Sequence, residues 1–331
     1  MVMTLASSIY GISHVIYSNL LVNLPYPESK QDLSDKVMVV TGSNTGLGFE
    51  ASQHLLRLGL GKLIMAVRSL DKGEQARQEL LNLTKREPDS IEVWFLDMAS
   101  YDSVKAFGER ANALPRLDAV LANAGLQTSA EFSMAEDNER TITVNVISTF
   151  LLLFILIPKL RESPYPGKFV IPNSATHYWA PTKELIPDEK AGPIFSRLND
   201  PVRSNMVDRY FVSKLMVLYL TRAIAARFDA SGKNSMIINT PNPSYCKSSL
   251  FREQKDAPPD FLARTPEMGS RALVSGVLAG PESNGQYMTN CQVHEPACHV
   301  TNKMGAKIQN ALFEELLEKL ENISPGVAKN L

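Results

Sequence analysis

The segment VMVVTGSNTGLG, residues 37–48, decides the fold of this chain. Its first five residues form a short, mostly apolar run typical of a buried strand, and glycines at positions 42, 46 and 48 follow directly. Glycine permits a tight strand-to-helix turn and lets backbone N–H groups approach a pyrophosphate at the helix N-terminus. The spacing is G-x-x-x-G-x-G rather than G-x-G-x-x-G, but the position between a strand and a helix predicts a dinucleotide-binding turn.

Similar apolar runs recur along the chain and alternate with stretches of helical period. The runs are residues 37–41, 63–67, 92–96, 119–122, 169–172, 236–239 and 285–288. Helices are expected near residues 46–60, 71–86, 100–113, 133–162, 206–230, 265–279 and 301–322. This alternation predicts an α/β fold: one doubly wound, Rossmann-type domain over residues 35–331, with a seven-stranded, mainly parallel sheet and helices on both faces.

The composition excludes several classes of protein. The 331 residues are 44% hydrophobic and 21% charged, with a net charge of −1 and interspersed signs. Nothing in this balance indicates a nucleic-acid partner or an anionic membrane. Three cysteines are too few for a disulfide framework and favour a reducing compartment, so we expect a cytoplasmic protein.

Residues 1–34 precede the first predicted strand and form a separate extension. Residues 9–24 (IYGISHVIYSNLLVNL) are apolar but carry Ser, His and Asn, and prolines at positions 25 and 27 end the stretch. It is short for a transmembrane span and no basic segment precedes it, so neither stable membrane insertion nor a signal peptide is predicted. We expect a helix packed on the domain or over its pocket, and loose association of residues 9–24 with a membrane surface is the alternative.

A basic residue follows the second predicted strand, where an NAD-binding domain typically carries Asp or Glu to bind the ribose 2′-hydroxyl. That position holds Arg68, and Lys72 follows one helical turn later. A guanidinium suits a 2′-phosphate, which a carboxylate would repel. The pair therefore favours NADP(H) over NAD(H), and two solvent-facing charges at a helix start are the alternative.

Further motifs follow in order along the chain. They are Asp97-Met98 at the end of the third strand, Asn123-Ala124-Gly125 at the end of the fourth, Asn145 in the next helix, Ser174 after the fifth strand, and Tyr210-x-x-x-Lys214 in the helix after that. With the glycine turn, they resemble the short-chain dehydrogenase/reductase family over about residues 35–290. The pattern is most similar to fungal secondary-metabolism members and to retinol-dehydrogenase-like members.

The resemblance implies roles for these residues. Asp97 would contact the adenine ring, and Asn145 would break its helix locally and carry a proton-relay water. The implied catalytic residues are Asn145, Ser174, Tyr210 and Lys214. The implied cofactor-binding residues are Gly42, Ser43, Asn44, Thr45, Gly46, Leu47, Gly48, Arg68, Lys72, Asp97, Met98, Asn123, Ala124, Gly125, Tyr210, Lys214, Pro243, Ser244, Tyr245 and Ser248.

The Tyr/Lys pair suits proton transfer. An i,i+4 spacing places Tyr210 and Lys214 on one face of a helix. A free tyrosine has a pKa of about 10, and a neighbouring ammonium lowers that pKa by stabilising the phenolate. In reduction, Tyr210 would protonate the carbonyl oxygen, and Ser174 would hydrogen-bond the same oxygen.

A second Tyr-x-x-x-Lys pair, Tyr101 with Lys105, shows that the spacing alone proves little. It follows the third strand and precedes the Asn-Ala-Gly motif, so we expect it to lie far from the nicotinamide. We interpret it as an ordinary helix surface.

Three features depart from the family pattern. Pro172 and Asn173 precede Ser174, and a proline there predicts a distorted strand end. Pro243-Ser244-Tyr245 replaces a Pro-Gly turn, and serine has less conformational freedom than glycine. Enlarged segments near residues 178–209 and 241–264 are expected to cover, with the N-terminal extension, a large apolar substrate pocket.

The segment CQVHEPACH, residues 291–299, packs two cysteines and two histidines together. Such density can form a zinc site, but the adjacent Cys298 and His299 point in different directions in regular structure, and no matching pair lies elsewhere. We therefore predict no metal and a loop that lines the substrate pocket. His177, three residues after Ser174, is expected to be structural, with substrate contact as the alternative.

Three functions remain compatible with the sequence. The first is an NADP(H)-dependent oxidoreductase that transfers a hydride between nicotinamide and a carbonyl or alcohol carbon of a bulky apolar substrate. The second is a non-redox isomerase or cyclase on the same scaffold, and the third is a cofactor-binding protein without turnover. Many relatives dimerise through the helices that correspond to residues 133–162 and 206–230, and the sequence leaves open whether this chain does.

Overall fold

Strands and helices alternate as the sequence predicts in the computed structural model, which describes residues 2–128, 131–231, 236–247 and 260–331. The strands are β1 Val37–Thr41, β2 Lys62–Val67, β3 Ile91–Phe95, β4 Ala119–Leu121, β5 Met134–Ala135, β6 Asn138–Glu139, β7 Lys168–Val170, β8 Ile237–Asn242, β9 Tyr287–Thr289 and β10 Gln292–His294. The α-helices are α1 Val2–Leu21, α2 Gly46–Arg57, α3 Leu70–Thr84, α4 Tyr101–Asn112, α5 Arg140–Ile142, α6 Ser148–Arg161, α7 Ile194–Leu198, α8 Met206–Ser231, α9 Pro266–Leu278, α10 Cys298–Thr301 and α11 Lys303–Ile323.

The main sheet confirms the doubly wound fold. Its strand order is β10-β9-β8-β7-β4-β1-β2-β3, and every pair is parallel except β9 with β10. The order reverses between β1 and β4, and doubly wound sheets bind ligands at the carboxyl ends of strands at such a point. One buried apolar cluster lies on each face of the sheet, where helices cover it.

The sheet has eight strands rather than the predicted seven. The extra strand, β10, lies within the Cys/His segment that was expected to be an irregular loop. Asn290 and Cys291 adopt left-handed backbone conformations, with φ of 50° and 62°, and connect β9 to β10 by a two-residue turn. Such turns require positive φ at both central residues, and an Asn-Cys pair carries a weaker signal for them than Asn-Gly.

The helix expected near residues 133–162 starts later than predicted. Residues 134–139 form the small β5–β6 hairpin, with Glu136 in a left-handed conformation at its turn. The Glu139 carboxylate then accepts hydrogen bonds from the backbone N–H groups of Thr141 and Ile142, so it caps the helix at its actual start. A π-helical turn, Thr143–Ile147, separates α5 from α6.

The continuous helical segment Arg140–Arg161 is long and apolar enough to cross a membrane, and among the described residues no other helix is. Its most apolar window is 89% buried inside the protein, however, where it packs against α4 within a buried apolar cluster. Its apolar character is therefore explained by its place in the core.

Helix α1 packs on the domain at the carboxyl edge of the sheet, as expected for the extension. A Cβ atom on Gly11 would lie 2.6 Å from Cβ of Tyr178, so only glycine permits this close approach. The Ser7 hydroxyl donates to the Tyr178 carbonyl at 2.8 Å, and the Tyr10 ring packs edge-on against that of Tyr178. The helix is thus fixed to the segment that follows β7.

Candidate active site

The glycine turn has the conformation that its sequence requires. Gly42 and Gly46 have φ of 65° and 59°, which side chains with a Cβ rarely adopt. A Cβ on Gly48 would lie 2.5 Å from both Asn123 Nδ2 and the Gly42 carbonyl oxygen. Two of the glycines are therefore needed for backbone conformation, and the third for close packing.

The Asn-Ala-Gly motif supports this turn from the neighbouring strand. Asn123 Nδ2 donates to the carbonyl oxygens of Thr41 and Gly42 at 3.0 and 3.2 Å. The backbone N–H of Ala124 donates to Thr41 Oγ1 at 2.8 Å. These bonds join the end of β4 to the end of β1, at the point where the strand order reverses.

A cavity of about 1090 Å³ extends from the glycine turn to α1. The predicted site residues that line it are Gly42, Asn44, Thr45, Gly46, Leu47, Arg68, Asp97, Met98, Asn123, Ala124, Gly125, Ser174, Tyr210, Lys214, Pro243, Ser244 and Tyr245. Four others do not: Ser43, Gly48 and Asn145 are buried behind its wall, and Lys72 is exposed on the first turn of α3. Ser248 lies outside the described residues.

The glycine-turn end of the cavity fits a dinucleotide. The residue before α2, Thr45, makes no side-chain capping bond, so the first N–H groups of that helix are left for another acceptor. A Cβ on Gly46 would meet no atom within 4 Å, which shows free space in front of the turn. A pyrophosphate suits both features, because a helix N-terminus attracts anions.

Asn145 lies in the π-helical turn, so a local break exists at the position where the resemblance implies one. Its Oδ1 accepts from the Leu126 N–H at 2.9 Å, and its Nδ2 donates to the Leu126 carbonyl and to Ser213 Oγ. The Ser213 hydroxyl donates in turn to the Tyr210 carbonyl at 2.7 Å. The Asn145 side chain thus fixes α8 relative to the segment after β4, and Ser213 is a supporting residue that the motif search missed.

Pro172 removes no hydrogen bond from the sheet, because β7 ends at Val170. The next residue, Asn173, still donates its backbone N–H to the Pro241 carbonyl at 2.8 Å, so the chain stays beside β8. The Pro172 carbonyl accepts from Lys214 Nζ at 2.8 Å. The expected distortion therefore takes the form of an early strand end. The Pro172 carbonyl, just beyond this end, accepts the hydrogen bond from Lys214.

Tyr210 and Lys214 lie side by side in the cavity wall, with Lys214 Nζ 5.5 Å from the centre of the Tyr210 ring. Burial raises the pKa of Tyr210 above its ordinary value, and a hydrogen bond with Ser174 acts in the opposite direction. Burial lowers the pKa of Lys214 to about 8. At neutral pH the pair therefore consists of a protonated phenol and a mostly charged amine, which is the state that gives a proton.

The second Tyr/Lys pair does not line the cavity. The Tyr101 hydroxyl donates to Asp137 Oδ1 at 3.0 Å, and Lys105 pairs with Asp102 at 2.8 Å. Tyr101 and Lys105 are thus each paired with an aspartate outside the cavity.

Ser244 takes the left-handed conformation that glycine usually supplies in the Pro-Gly turn, with φ of 66°. Its backbone N–H donates to Asn242 Oδ1 at 2.9 Å. Asn242 is itself buried, and its Nδ2 donates to the Tyr287 hydroxyl at 2.9 Å. The serine therefore keeps the shape of the family turn at the cost of backbone strain.

Apolar side chains from all three predicted covers form the far end of the cavity. Helix α1 and the two enlarged segments contribute Ile12, Val15, Ile16, Trp179 and Leu262, beside Phe211 of α8. The rings of Trp179 and Phe211 pack edge to face with centres 6.1 Å apart. This end of the cavity suits a large apolar molecule.

The Cys/His segment does not line the cavity, which corrects that expectation. Because β10 directs it under α1, His294 Nε2 lies 3.3 Å from the Tyr10 hydroxyl, and His299 Nε2 contacts the His177 carbonyl at 2.9 Å. Among the described residues, no three His, Cys, Asp or Glu side chains are grouped to hold a metal. His177 is fully buried behind Ser174, with Nδ1 2.8 Å from the Ser174 carbonyl, so it has a structural place.

Known proteins match this chain along nearly its whole length. A family model described as short chain dehydrogenase matches residues 36–175. The short chain dehydrogenase/reductase dmxR8 of Cryptosporiopsis sp. is 43% identical over 330 residues, which cover 95% of this chain and 99% of that protein. The chain belongs to the short-chain dehydrogenase/reductase family.

Two further proteins agree with this assignment. The short-chain dehydrogenase anuD of Penicillium roqueforti is 38% identical over 94% of this chain and 84% of its own length. A solved short-chain dehydrogenase from Sphingobium yanoikuyae, in complex with NADPH, has a TM-score of 0.56 and 19% identity over 77% of this chain and 87% of its own. The first is a fungal relative, and the second shows the shared fold. The chain is accordingly an oxidoreductase of this family.

Proposed function

We propose that this short-chain dehydrogenase/reductase is an NADP(H)-dependent oxidoreductase that reduces a bulky apolar ketone or aldehyde in a biosynthetic, secondary-metabolite pathway. One observation carries the proposal. Ser174, Tyr210 and Lys214 meet in the wall of a single cavity that begins at the glycine turn and ends in apolar side chains. The cofactor end and the substrate end are thus joined at the proton-transfer residues.

NADP(H) is proposed over NAD(H) because of the charge at the end of β2. The exposed Arg68 lines the cavity there, and the adjacent residues Val67 and Ser69 carry no carboxylate that would repel a 2′-phosphate. Lys72, which does not line the cavity, contributes at most a longer-range attraction. The NADPH complex of the Sphingobium relative is consistent with this preference.

When bound, the nicotinamide would supply or accept the hydride. The protein's own part is to hold and move a proton. Tyr210, kept as a phenol by burial, would give its proton to the carbonyl oxygen of the substrate, and Ser174 would hydrogen-bond that oxygen. Lys214, held by the Pro172 carbonyl, places a positive charge beside the phenolate that remains.

The far end of the cavity supports the proposed substrate class. This end is surrounded by apolar side chains from α1, from α8 and from the enlarged segment near residues 178–209. These side chains would exclude water from the reacting carbonyl. A bulky apolar ketone or aldehyde would bury the most surface there. A small polar substrate would leave these side chains without contacts.

Cofactor titration and turnover test the proposal together. Purified protein is titrated with NADPH and with NADH, and NADPH oxidation is then followed with bulky aromatic and alicyclic ketones. NADPH should bind more tightly and be oxidised in the presence of at least one of them. Failure to bind either cofactor would overturn the redox function, and binding without oxidation across the panel would favour the isomerase or cyclase.

The expected cytoplasmic location remains a prediction, and so do two possibilities that the sequence leaves open: loose association of residues 9–24 with a membrane surface, and homodimerisation. In the described monomer α11 packs along α8, one of the two helices through which relatives dimerise. Analytical ultracentrifugation would decide the oligomeric state.

A further inference from the structure

We propose that the N-terminal helix α1 is a working part of the cofactor site, in which Asn19 positions the strained turn at Ser244. The proposal rests on the NADP(H) site described above, and it concerns residues that lie outside the family motifs. Asn19 is a positioning residue here, because it acts through the turn.

The first observation is that the carbonyls of Pro243 and Tyr245, the residues before and after Ser244, accept hydrogen bonds from outside the turn. The Tyr245 carbonyl accepts from Asn19 Nδ2 at 2.7 Å, and the Pro243 carbonyl accepts from Arg264 Nη1 at 3.2 Å. The Tyr245 carbonyl also accepts from the Arg264 backbone N–H at 2.9 Å. These bonds hold the peptide group before Ser244 directly, and they hold the chain after it one residue further on, at the peptide group between Tyr245 and Cys246.

The second observation is that these donors connect the turn to α1. Arg264 is 3% exposed, and its Nη2 donates to the Ser18 carbonyl at 2.5 Å and to Asn290 Oδ1 at 2.9 Å. Asn290 Nδ2 donates to the Ser18 hydroxyl at 3.0 Å. Asn19 Nδ2 makes a second bond, to the Leu262 carbonyl at 2.6 Å. Because Nδ2 faces two carbonyls, the orientation of the Asn19 amide is determined by its partners.

The third observation is the strain itself. A residue with a Cβ in the left-handed region costs roughly 1 kcal/mol and persists only where surrounding contacts determine its conformation. Glycine would need no such support. The chain carries both a serine at this position and a helix whose contacts hold the turn, and these contacts explain how the strained conformation is maintained.

The position of the turn makes this support relevant to the cofactor. Pro243, Ser244 and Tyr245 line the cavity, and Cys246, the next residue, lies close enough to Tyr210 to influence its pKa. The turn thus lies beside the proton-transfer residues rather than at the adenine end. If it relaxes, the nicotinamide end of the site loses its shape while the glycine turn stays intact.

A double-mutant cycle tests the coupling. Asn19→Ala removes both hydrogen bonds that Nδ2 donates, so NADPH should bind about tenfold more weakly, which corresponds to about 1.4 kcal/mol. In a Ser244→Gly background the same change should weaken NADPH binding by no more than about twofold, because glycine holds the left-handed conformation unaided. The measurements are the Kd of NADPH from its fluorescence and the melting temperature of each variant.

Ser7→Ala is the matched control. It removes one hydrogen bond between α1 and the Tyr178 carbonyl, far along the helix from the turn. Because it removes one hydrogen bond rather than two, it should lower the melting temperature by roughly half as much as Asn19→Ala, and it should leave the Kd of NADPH unchanged. Equal losses of affinity in the two variants would show that α1 acts only as a general cover, and would overturn the proposal.

Two other results would also overturn it. One is an unchanged Kd in Asn19→Ala. The other is a loss that is as large in the Ser244→Gly background as in the wild type, which would mean that Asn19 does not act through the conformation of Ser244. Failure of the wild-type chain to bind NADPH is a different result. It would contradict the proposed cofactor, and the cycle would then be measured with NADH.

Discussion

Replacing Lys214 with methionine should stabilise the protein without cofactor while it removes activity. Methionine keeps the length and most of the volume of the side chain but carries no charge. Lys214 is buried, and its pKa falls from 10.5 to about 8, which corresponds to a cost of about 3 kcal/mol for the charged form. Loss of the charged hydrogen bond to the Pro172 carbonyl destabilises the variant by about 1.5 kcal/mol, which offsets part of this gain. The net gain at pH 7 is about 1.5 kcal/mol, or about 2 °C in melting temperature for a chain of this length.

The pH dependence gives a sharper test of the same reasoning. Between pH 8 and 10.5 the unfolded chain binds a proton at this lysine that the folded chain has released, so wild-type stability rises across that window. The methionine variant lacks this contribution. The advantage of the variant should therefore be largest below pH 8 and should shrink as the pH approaches 10.5.

Urea unfolding of the two proteins at half-unit steps from pH 7 to 10 measures this difference. Lys168→Met is the matched control, because burial also lowers the pKa of Lys168 to about 8 while the residue lies outside the cavity lining. That control should show the same trend with pH and keep turnover. A Lys214→Met protein that is less stable than the wild type at pH 7, or whose difference does not change with pH, would refute the reasoning.

Three further predictions concern the cofactor, the fold and the substrate. Arg68→Ala should lower the ratio of kcat/KM for NADPH over NADH about 10- to 100-fold, since a charged hydrogen bond is worth about 1.5–3 kcal/mol, and an unchanged ratio would contradict the 2′-phosphate role. Arg209→Met leaves the buried Glu139 and the half-buried Glu184 without their shared cation and should cost about 3–5 kcal/mol in urea unfolding, whereas an unchanged midpoint would show that the charges are not coupled. Trp179→Ala should raise KM for bulky ketones about tenfold and leave the Kd of NADPH unchanged. A change in the Kd of NADPH without a change in KM would show that Trp179 contacts the cofactor rather than the substrate.

The sequence predicted the sheet and most of the site because local signals agreed with the fold. Each glycine of the turn serves a conformation that residues with a Cβ rarely adopt or a contact that a Cβ would block, and Asn123 and Ser174 follow predicted strands in the family's order. The carboxyl ends of parallel strands meet at one edge, so strand order alone brings such residues together. That argument needs no side-chain detail.

The sequence failed where position depends on tertiary contacts or on rare backbone conformations. The left-handed residues Asn290 and Cys291 form the turn that leads into the eighth strand, β10. Glu139 caps the helix at a later residue than the apolar pattern of residues 133–162 predicted. The contacts of Asn19 with Tyr245 and of Arg264 with Ser18 join segments that are more than 200 residues apart in sequence. No periodicity in either segment indicates that they meet.

Tyr210→Phe tests the central claim most directly, since it removes one hydroxyl from a buried ring and leaves the wall of the cavity in place. Binding of NADPH and oxidation of NADPH by a ketone that the wild type reduces are measured on the same preparation. The account predicts that the Kd of NADPH stays within about twofold and that kcat falls by at least about 10²-fold, the usual contribution of a positioned proton donor. Turnover that survives in Tyr210→Phe with NADPH bound would contradict the assignment of Tyr210 as the residue that gives the proton.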